Sequence, residues 1–209
     1  MMEHARELMP EPMATSEVRS PPFTIAEAAT VAENCYDCEC ARSRHQVVIY
    51  DGPTDPYPAL MVLGQSPGAK EDDVGRPFIG PSGTLLRQTM ADVQLPPAGF
   101  FNIINCRPPF SGFRYEYAER CRPQFRWKLM GLSTNLRWLI CAGRDAQAAI
   151  TASFPPWREG VVLPNGRRIV TFSTLHPAAV LRAHGYLDSE WSASWRYIAQ
   201  AIAAAREEG

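Results

Sequence analysis

The chain has 209 residues, with 21 Lys and Arg against 22 Asp and Glu and a net charge of −1. That length suits one domain with a tail, and 45% hydrophobic residues suffice for a real core. A charge so near zero excludes a global field drawing the chain to nucleic acid or membrane. No apolar run approaches membrane-spanning length, and the N-terminus lacks a secretory apolar region. The expected location is therefore the cytoplasm. Six cysteines in that setting argue for metal, a cluster or buried thiols, not a disulfide framework. The basic residues are all Arg except Lys70 and Lys128. Arg suits bidentate phosphate contacts, although genome composition produces the same bias.

Residues 1–22 are rich in Met, Glu, Pro and Ser without a period and read as a disordered tail, with Met13 as an alternative start. Residues 23–209 read as one domain. Thr24 and Glu27 form a T-x-x-E capping box that opens a helix, with Ile25, Ala29 and Ala32 on one face. The helix runs into Cys35 and Cys38. Val47 to Tyr50 has strand character, and Asp51-Gly52-Pro53 turns the chain. Residues 59–63 form the next strand.

The stretch that follows organises the chain. It is a long polar loop from Gly64 to Gly83, with the aromatic Phe78 between Pro77 and Ile79. A helix with Leu85, Leu86 and Met90 at helical spacing comes next, and Ser82 is its expected N-cap. Strand, loop, helix is the layout in which α/β proteins hold ligands at the carboxyl edge of a sheet.

Phe101 to Ile104 is the next expected strand, and it leads to Asn105-Cys106-Arg107-Pro108-Pro109. A helix from about Tyr115 to Met130 carries Cys121. Trp138 to Ala142 is a short apolar strand closed by Gly143, and Ala146 to Phe154 is a helix. Asn165-Gly166 marks a hairpin within Val161 to Val170. Its second strand, Ile169 to Thr174, runs into His176-Pro177. Asp188 caps a last helix with Trp191, Trp195, Ile198 and Ile202 on one face. Alternating strands and helices predict a three-layer α/β/α sandwich around a mainly parallel, four-stranded sheet.

Cys35 and Cys38 form a C-x2-C pair, which brings two thiolates to one centre without backbone strain. Cys106 and Cys121 can complete a four-thiolate set, and spacing alone suits zinc and [4Fe-4S] equally. Cys141 sits in an apolar strand and reads as core. Cys40 is a spare ligand or an inert thiol.

Taken together, these segments carry a recognisable pattern. GQSPGAKEDDVGRPFIGPSGTLL resembles the first motif of the iron–sulfur, family 4 uracil-DNA glycosylases, commonly GEAPGxxEDxxGxPFVGxAGxLL. ARSRHQVVIYDG resembles the segment after that family's first two cysteines. NIINCRPP resembles its NVVKCRPP, and HPAAVLR its final motif. The four occur in order over roughly residues 24–205.

The resemblance implies a monofunctional DNA glycosylase that releases uracil or a related base from DNA. The sequence carries no oligomer signal, so a monomer is the default expectation, and the lack of a spanning apolar run gives no membrane partner. Cys35, Cys38, Cys106 and Cys121 would hold a structural [4Fe-4S] cluster. Phe78 would stack on a flipped pyrimidine, Asn102 would read its Watson–Crick edge, and His176 would donate to O2. Glu71 would sit near C5 and exclude a methyl group. The Gly64-Gln65-Ser66-Pro67-Gly68 loop would line the pocket, and Leu181 and Arg182 would enter the minor groove.

The chemistry agrees with those roles. Extruding a base needs a stacking aromatic and an amide in a snug pocket. Asn offers the donor and acceptor that uracil O4 and N3–H require. A donor aimed at O2 stabilises the departing anion, worth about 3 kcal/mol in other enzymes.

Position 65 departs from the pattern. The family usually has Glu there, and this chain has Gln65. The family 1 enzymes read GQDPYH, and this chain has Ser66 where they have Asp. An amide cannot act as a general base. Water would be oriented by Gln65 and Ser66 or activated by Glu71, Asp72 or Asp73. The same departure suits two further readings: a glycosylase for a modified pyrimidine, or a catalytically weakened DNA-binding homologue.

Overall fold

The computed structural model describes residues 24–110 and 112–207. The expected tail at 1–22 lies outside them. In chain order the elements are α1 (Ile25–Glu33), α2 (Glu39–Ser43), β1 (Leu60–Gly64), α3 (Ala69–Val74), α4 (Pro81–Asp92), β2 (Ala98–Asn102) and α5 (Tyr115–Leu132). They continue with β3 (Trp138–Ala142), α6 (Arg144–Ser153), β4 (Pro156–Trp157), β5 (Gly160–Val162), β6 (Arg168–Thr174), α7 (Pro177–Arg182) and α8 (Asp188–Glu207).

The sheet has the order β2-β1-β3-β6-β5-β4. β1 runs parallel to β2 and β3, and β3 runs parallel to β6. β5 and β4 extend this parallel core antiparallel. The expected four strands are thus the parallel part of a six-stranded sheet. One extra strand, β5, belongs to the hairpin at Asn165-Gly166, where Arg167 N donates to Asn165 Oδ1 at 3.1 Å and Gly166 has φ +80°. Pro156 and Trp157 add an edge too short to show in a hydrophobic pattern.

Side chains of a strand alternate between faces, so each apolar run feeds two cores. Met61 and Leu63 join Leu139, Cys141, Phe125 and Leu129 on one face. Leu60 and Val62 join Trp138, Ile140, Leu86 and the α8 stripe of Trp191, Trp195, Ile198 and Ile202 on the other. Three layers result, as expected.

Four local expectations change. Val47 to Tyr50 is buried in part but forms no strand. Val48 N donates to Asn105 O and Asp51 bridges Phe100, after which the turn at Gly52 ends the pairing. β2 spans Ala98–Asn102 rather than Phe101 to Ile104, because its partner β1 ends at Gly64, opposite Asn102. The N-cap of α4 is Gly80, not Ser82, because Pro81 takes the first helical position, where its missing N–H costs nothing. The loop from Gly64 to Gly83 itself contains α3. The capping box of α1 forms as expected: Glu27 N donates to Thr24 Oγ1 at 3.2 Å, and Thr24 N to Glu27 Oε2 at 2.7 Å.

Candidate active site

Parallel strands end on one edge of the sheet, and there the candidate residues meet. Gln65 follows β1, Asn102 ends β2, and His176 stands two residues beyond β6. They line a cavity of about 400 Å³ together with Phe78, Glu71, Ala178 and the Ser66–Ala69 and Gly80–Gly83 turns. That volume falls within the roughly 300–1,000 Å³ of small-ligand pockets.

Two glycines make the close approach possible. A Cβ on Gly64 would lie 2.5 Å from Phe78 Cζ and would strike Asn102 Oδ1. A Cβ on Gly83 would strike the Phe78 carbonyl. Phe78 has φ +56°, a left-handed conformation that costs an aromatic residue energy unless its surroundings enforce it. Arg87 supplies the constraint. Its Nε donates to Phe78 O at 2.9 Å, and its Nη2 donates to Pro77 O at 3.2 Å and to Asp51 Oδ2 at 2.6 Å. Its guanidinium lies 3.8 Å over the Phe100 ring, against which Phe78 also packs.

Asn102 is 3% exposed, and among the described residues its side-chain amide makes no hydrogen bond. Its backbone oxygen accepts from Lys128 Nζ at 2.9 Å. Lys128 is buried and also donates to Asn105 Oδ1 at 2.5 Å. Burial pulls its ammonium down to about 8, against the opposing effect of Cys121 and Cys106.

His176 is the N-cap of α7, and its Nδ1 accepts from Ala178 N at 3.1 Å. A neutral imidazole with Nδ1 as acceptor carries its proton on Nε2. Burial holds the imidazole below its usual pKa. Arg182 adds to that depression and Asp145 opposes it.

The acidic candidates separate. Glu71 lines the cavity, but its carboxylate is held by three backbone donors: Gly68 N at 3.1 Å, Ile79 N at 3.1 Å and Gly80 N at 2.8 Å. Asp72 accepts from His45 N, and Asp73 pairs with His45 Nδ1 at 2.8 Å. These contacts tie both to the segment after α2, and neither lines the cavity. Gln65 turns its Nε2 to Asp145, in the first turn of α6, while Ser66 Oγ makes a long 3.4 Å bond to Gln65 Oε1. Leu181, at 44% exposure, and Arg182 lie exposed on α7, next to His176 in sequence.

Asp145, Arg87, Asp51 and Lys128 had no signal in the sequence. Each acts through a partner distant along the chain.

The expected four cysteines gather, and Cys40 joins them. Cys106 interacts electrostatically with Cys38 and Cys35, and Cys121 with Cys106 and Cys38. Burial raises both thiols, Cys121 to about 12. Arg44 Nη1 donates to Cys106 Sγ at 3.4 Å and to Cys35 O at 3.0 Å, and counters part of that rise. Cys40 packs beside Cys38. Cys141 lies apart, buried in β3 as core.

Residues 52–199 match the family model of the uracil DNA glycosylase superfamily, and the chain belongs to that superfamily. Its curated relatives narrow the likeness. It is 28% identical over 163 residues to the type-4 uracil-DNA glycosylase of Pyrobaculum aerophilum, covering 72% of this chain and 81% of the relative. It is 27% identical over 160 residues to that of Archaeoglobus fulgidus, covering 71% and 78%. It is 26% identical over 163 residues to that of Sulfurisphaera tokodaii, covering 71% of each. No helix among the described residues is long and apolar enough to cross a membrane.

Proposed function

We propose that this chain hydrolyses the N-glycosidic bond of uracil in DNA and leaves an abasic site. One observation carries this reading: Phe78, Asn102 and His176, far apart in sequence, wall one cavity at the carboxyl edge of the parallel strands. A flipped uracil stacks on Phe78. The Asn102 amide pairs with N3–H and O4 and needs no rearrangement, since no side chain among the described residues occupies it. His176 Nε2–H donates to O2, where negative charge develops as C1′–N1 breaks. A neutral imidazole suffices, because a hydrogen bond to the growing anion strengthens through the step. Glu71 keeps the pocket rim in place through its three backbone bonds, which makes it a positioning residue beside C5. Leu181 and Arg182 meet the duplex next to the emptied position.

Cys35, Cys38, Cys106 and Cys121 fit a [4Fe-4S] cluster. Four thiols converge in a buried site with a cationic Arg44 at hand. Cys106 interacts with Cys35 and Cys38, and Cys121 with Cys106 and Cys38, so the four form one donor set. When bound, the cluster contributes a structural cross-link between the segment after α1, the β2–α5 loop and α5.

The test is incubation with a single-uracil oligonucleotide followed by alkali. Strand scission at the uracil, absent from the thymine control, is the expected result. No scission at micromolar protein rejects the reading. A parallel panel of 5-substituted uracils addresses the Gln65-Ser66 departure: a modified base released faster than uracil would reassign the substrate.

A further inference from the structure

A hydrolysis needs a placed water, yet positions 65 and 66 hold no acid and the Glu71 carboxylate is spent on backbone donors. A carboxylate does stand directly behind Gln65. Building on the glycosylase reading, we propose that Asp145 is a positioning residue for the attacking water. It fixes the Gln65 amide with Oε1 toward the cavity and lends it negative charge, so the Gln65–Asp145 pair replaces a single acid at position 65.

The geometry follows from the sheet. β1 and β3 are neighbours. Gln65 leaves the end of β1, and Asp145 opens α6 just beyond β3, so the two meet across 80 residues of sequence. Gly143, between β3 and α6, has φ +93°, and a Cβ there would lie 2.9 Å from His176 Cβ. The same turn therefore seats His176 and aims Asp145.

A primary amide carries its oxygen and nitrogen on opposite sides. With Nε2 committed to Asp145, Oε1 must face away from it. Its one other hydrogen bond among the described residues is the long bond from Ser66 Oγ, which leaves a lone pair for water. An ionised acceptor behind the N–H strengthens that bond and polarises the carbonyl.

In the step, the water oxygen bonds to C1′ as C1′–N1 breaks. The bonding pair leaves on the pyrimidine as an N1 anion held at O2 by His176. The proton lost by water passes to solvent, since an amide does not keep it. The anion later takes up a proton and departs as the neutral base.

The test compares single-turnover uracil release by wild type, D145N, Q65E and the Q65E/D145N pair, with DNA affinity and melting temperature measured alongside. D145N keeps the shape and loses the charge, and its rate is expected to fall roughly ten- to a hundredfold at unchanged DNA affinity. Q65E sets two carboxylates face to face, so its rate should drop as rising pH removes their shared proton. The pair restores one carboxylate backed by one amide, and should recover at least the wild-type rate and lose that pH dependence. If D145N melts early, Q65E and the pair decide the matter. D145N at the wild-type rate, or Q65E left unrescued by D145N, overturns the inference and spares the glycosylase reading. A wild-type protein that releases no base overturns both.

Discussion

On the glycosylase reading proposed above, Asn102 is a residue buried for a ligand's sake. Its side chain is almost wholly enclosed but bonds to nothing among the described residues, so folding gains little from its amide. Asn102→Ala is expected to cut uracil release by about a hundredfold or more, the scale of one lost transition-state hydrogen bond. Its melting temperature should stay close to wild type, which scanning calorimetry would check. His176 gives a pH prediction. Its folded pKa lies below 6.5, so between the two values the unfolded chain binds the proton and the native state does not. Stability then falls as pH drops below 6.5. Activity should fall over the same window, because protonation takes away the Nδ1 lone pair that accepts from Ala178 and seats the ring. A rate profile with an acid limb midpoint above 6.5 would contradict this.

At the scale of elements, the first motif is a clamp as much as a pocket. Glu71 joins the start of α3 to the start of α4 through three charge-assisted bonds, and Arg87 returns from α4 to hold Phe78 and Asp51. Hydrogen bonds to a charged group are worth about 1.5–3 kcal/mol each. Glu71→Gln keeps the shape, but its one amide oxygen can serve only Gly68 N or the Ile79 and Gly80 pair, while its NH2 faces the other donor side. It should destabilise the fold by about 2 kcal/mol and raise KM more than it lowers kcat. Gly64→Ala drives a methyl between Phe78 and Asn102. Overpacking of this kind costs roughly 1–3 kcal/mol, and the expected signature is near-complete loss of uracil release in a protein that still folds. Phe78, Asn102 and His176 were legible only through the motifs that resemble the family, and the structure brings the three to one cavity. Arg87 and Asp51 were not: their bond spans 36 residues, and neither belongs to a pattern that local spacing reveals.

At the scale of the molecule, the pocket and the cysteine site are mechanically joined. Lys128, one turn before the end of α5, bonds Asn102 on the pocket side and Asn105 beside Cys106. Lys128→Met fills the volume but leaves two buried acceptors unpaired, at about 1–3 kcal/mol each. The melting temperature should fall clearly, and uracil release should fall with it as Asn102 loosens. Cys106→Ser should bleach the brown colour of a cluster-loaded preparation and lower stability. Visible absorbance and thermal melting read both.

The alternation of strands and helices, the two faces of each buried strand, the capped start of α1, the Asn165-Gly166 hairpin and the α8 stripe can all be read from the residues alone. These are local: they depend on the periods of side-chain direction and on turn chemistry within a few residues. The sequence also held the cysteine set and the three pocket residues, through motif order. The folded chain alone reveals that the sheet has six strands, that the segment near Val47 pairs at a single bridge, that Asp72 and Asp73 face His45, and that Asp145 stands behind Gln65. Those facts depend on which strand ends become neighbours. That is set by packing across the whole sheet, a long-range choice that no short stretch of residues carries.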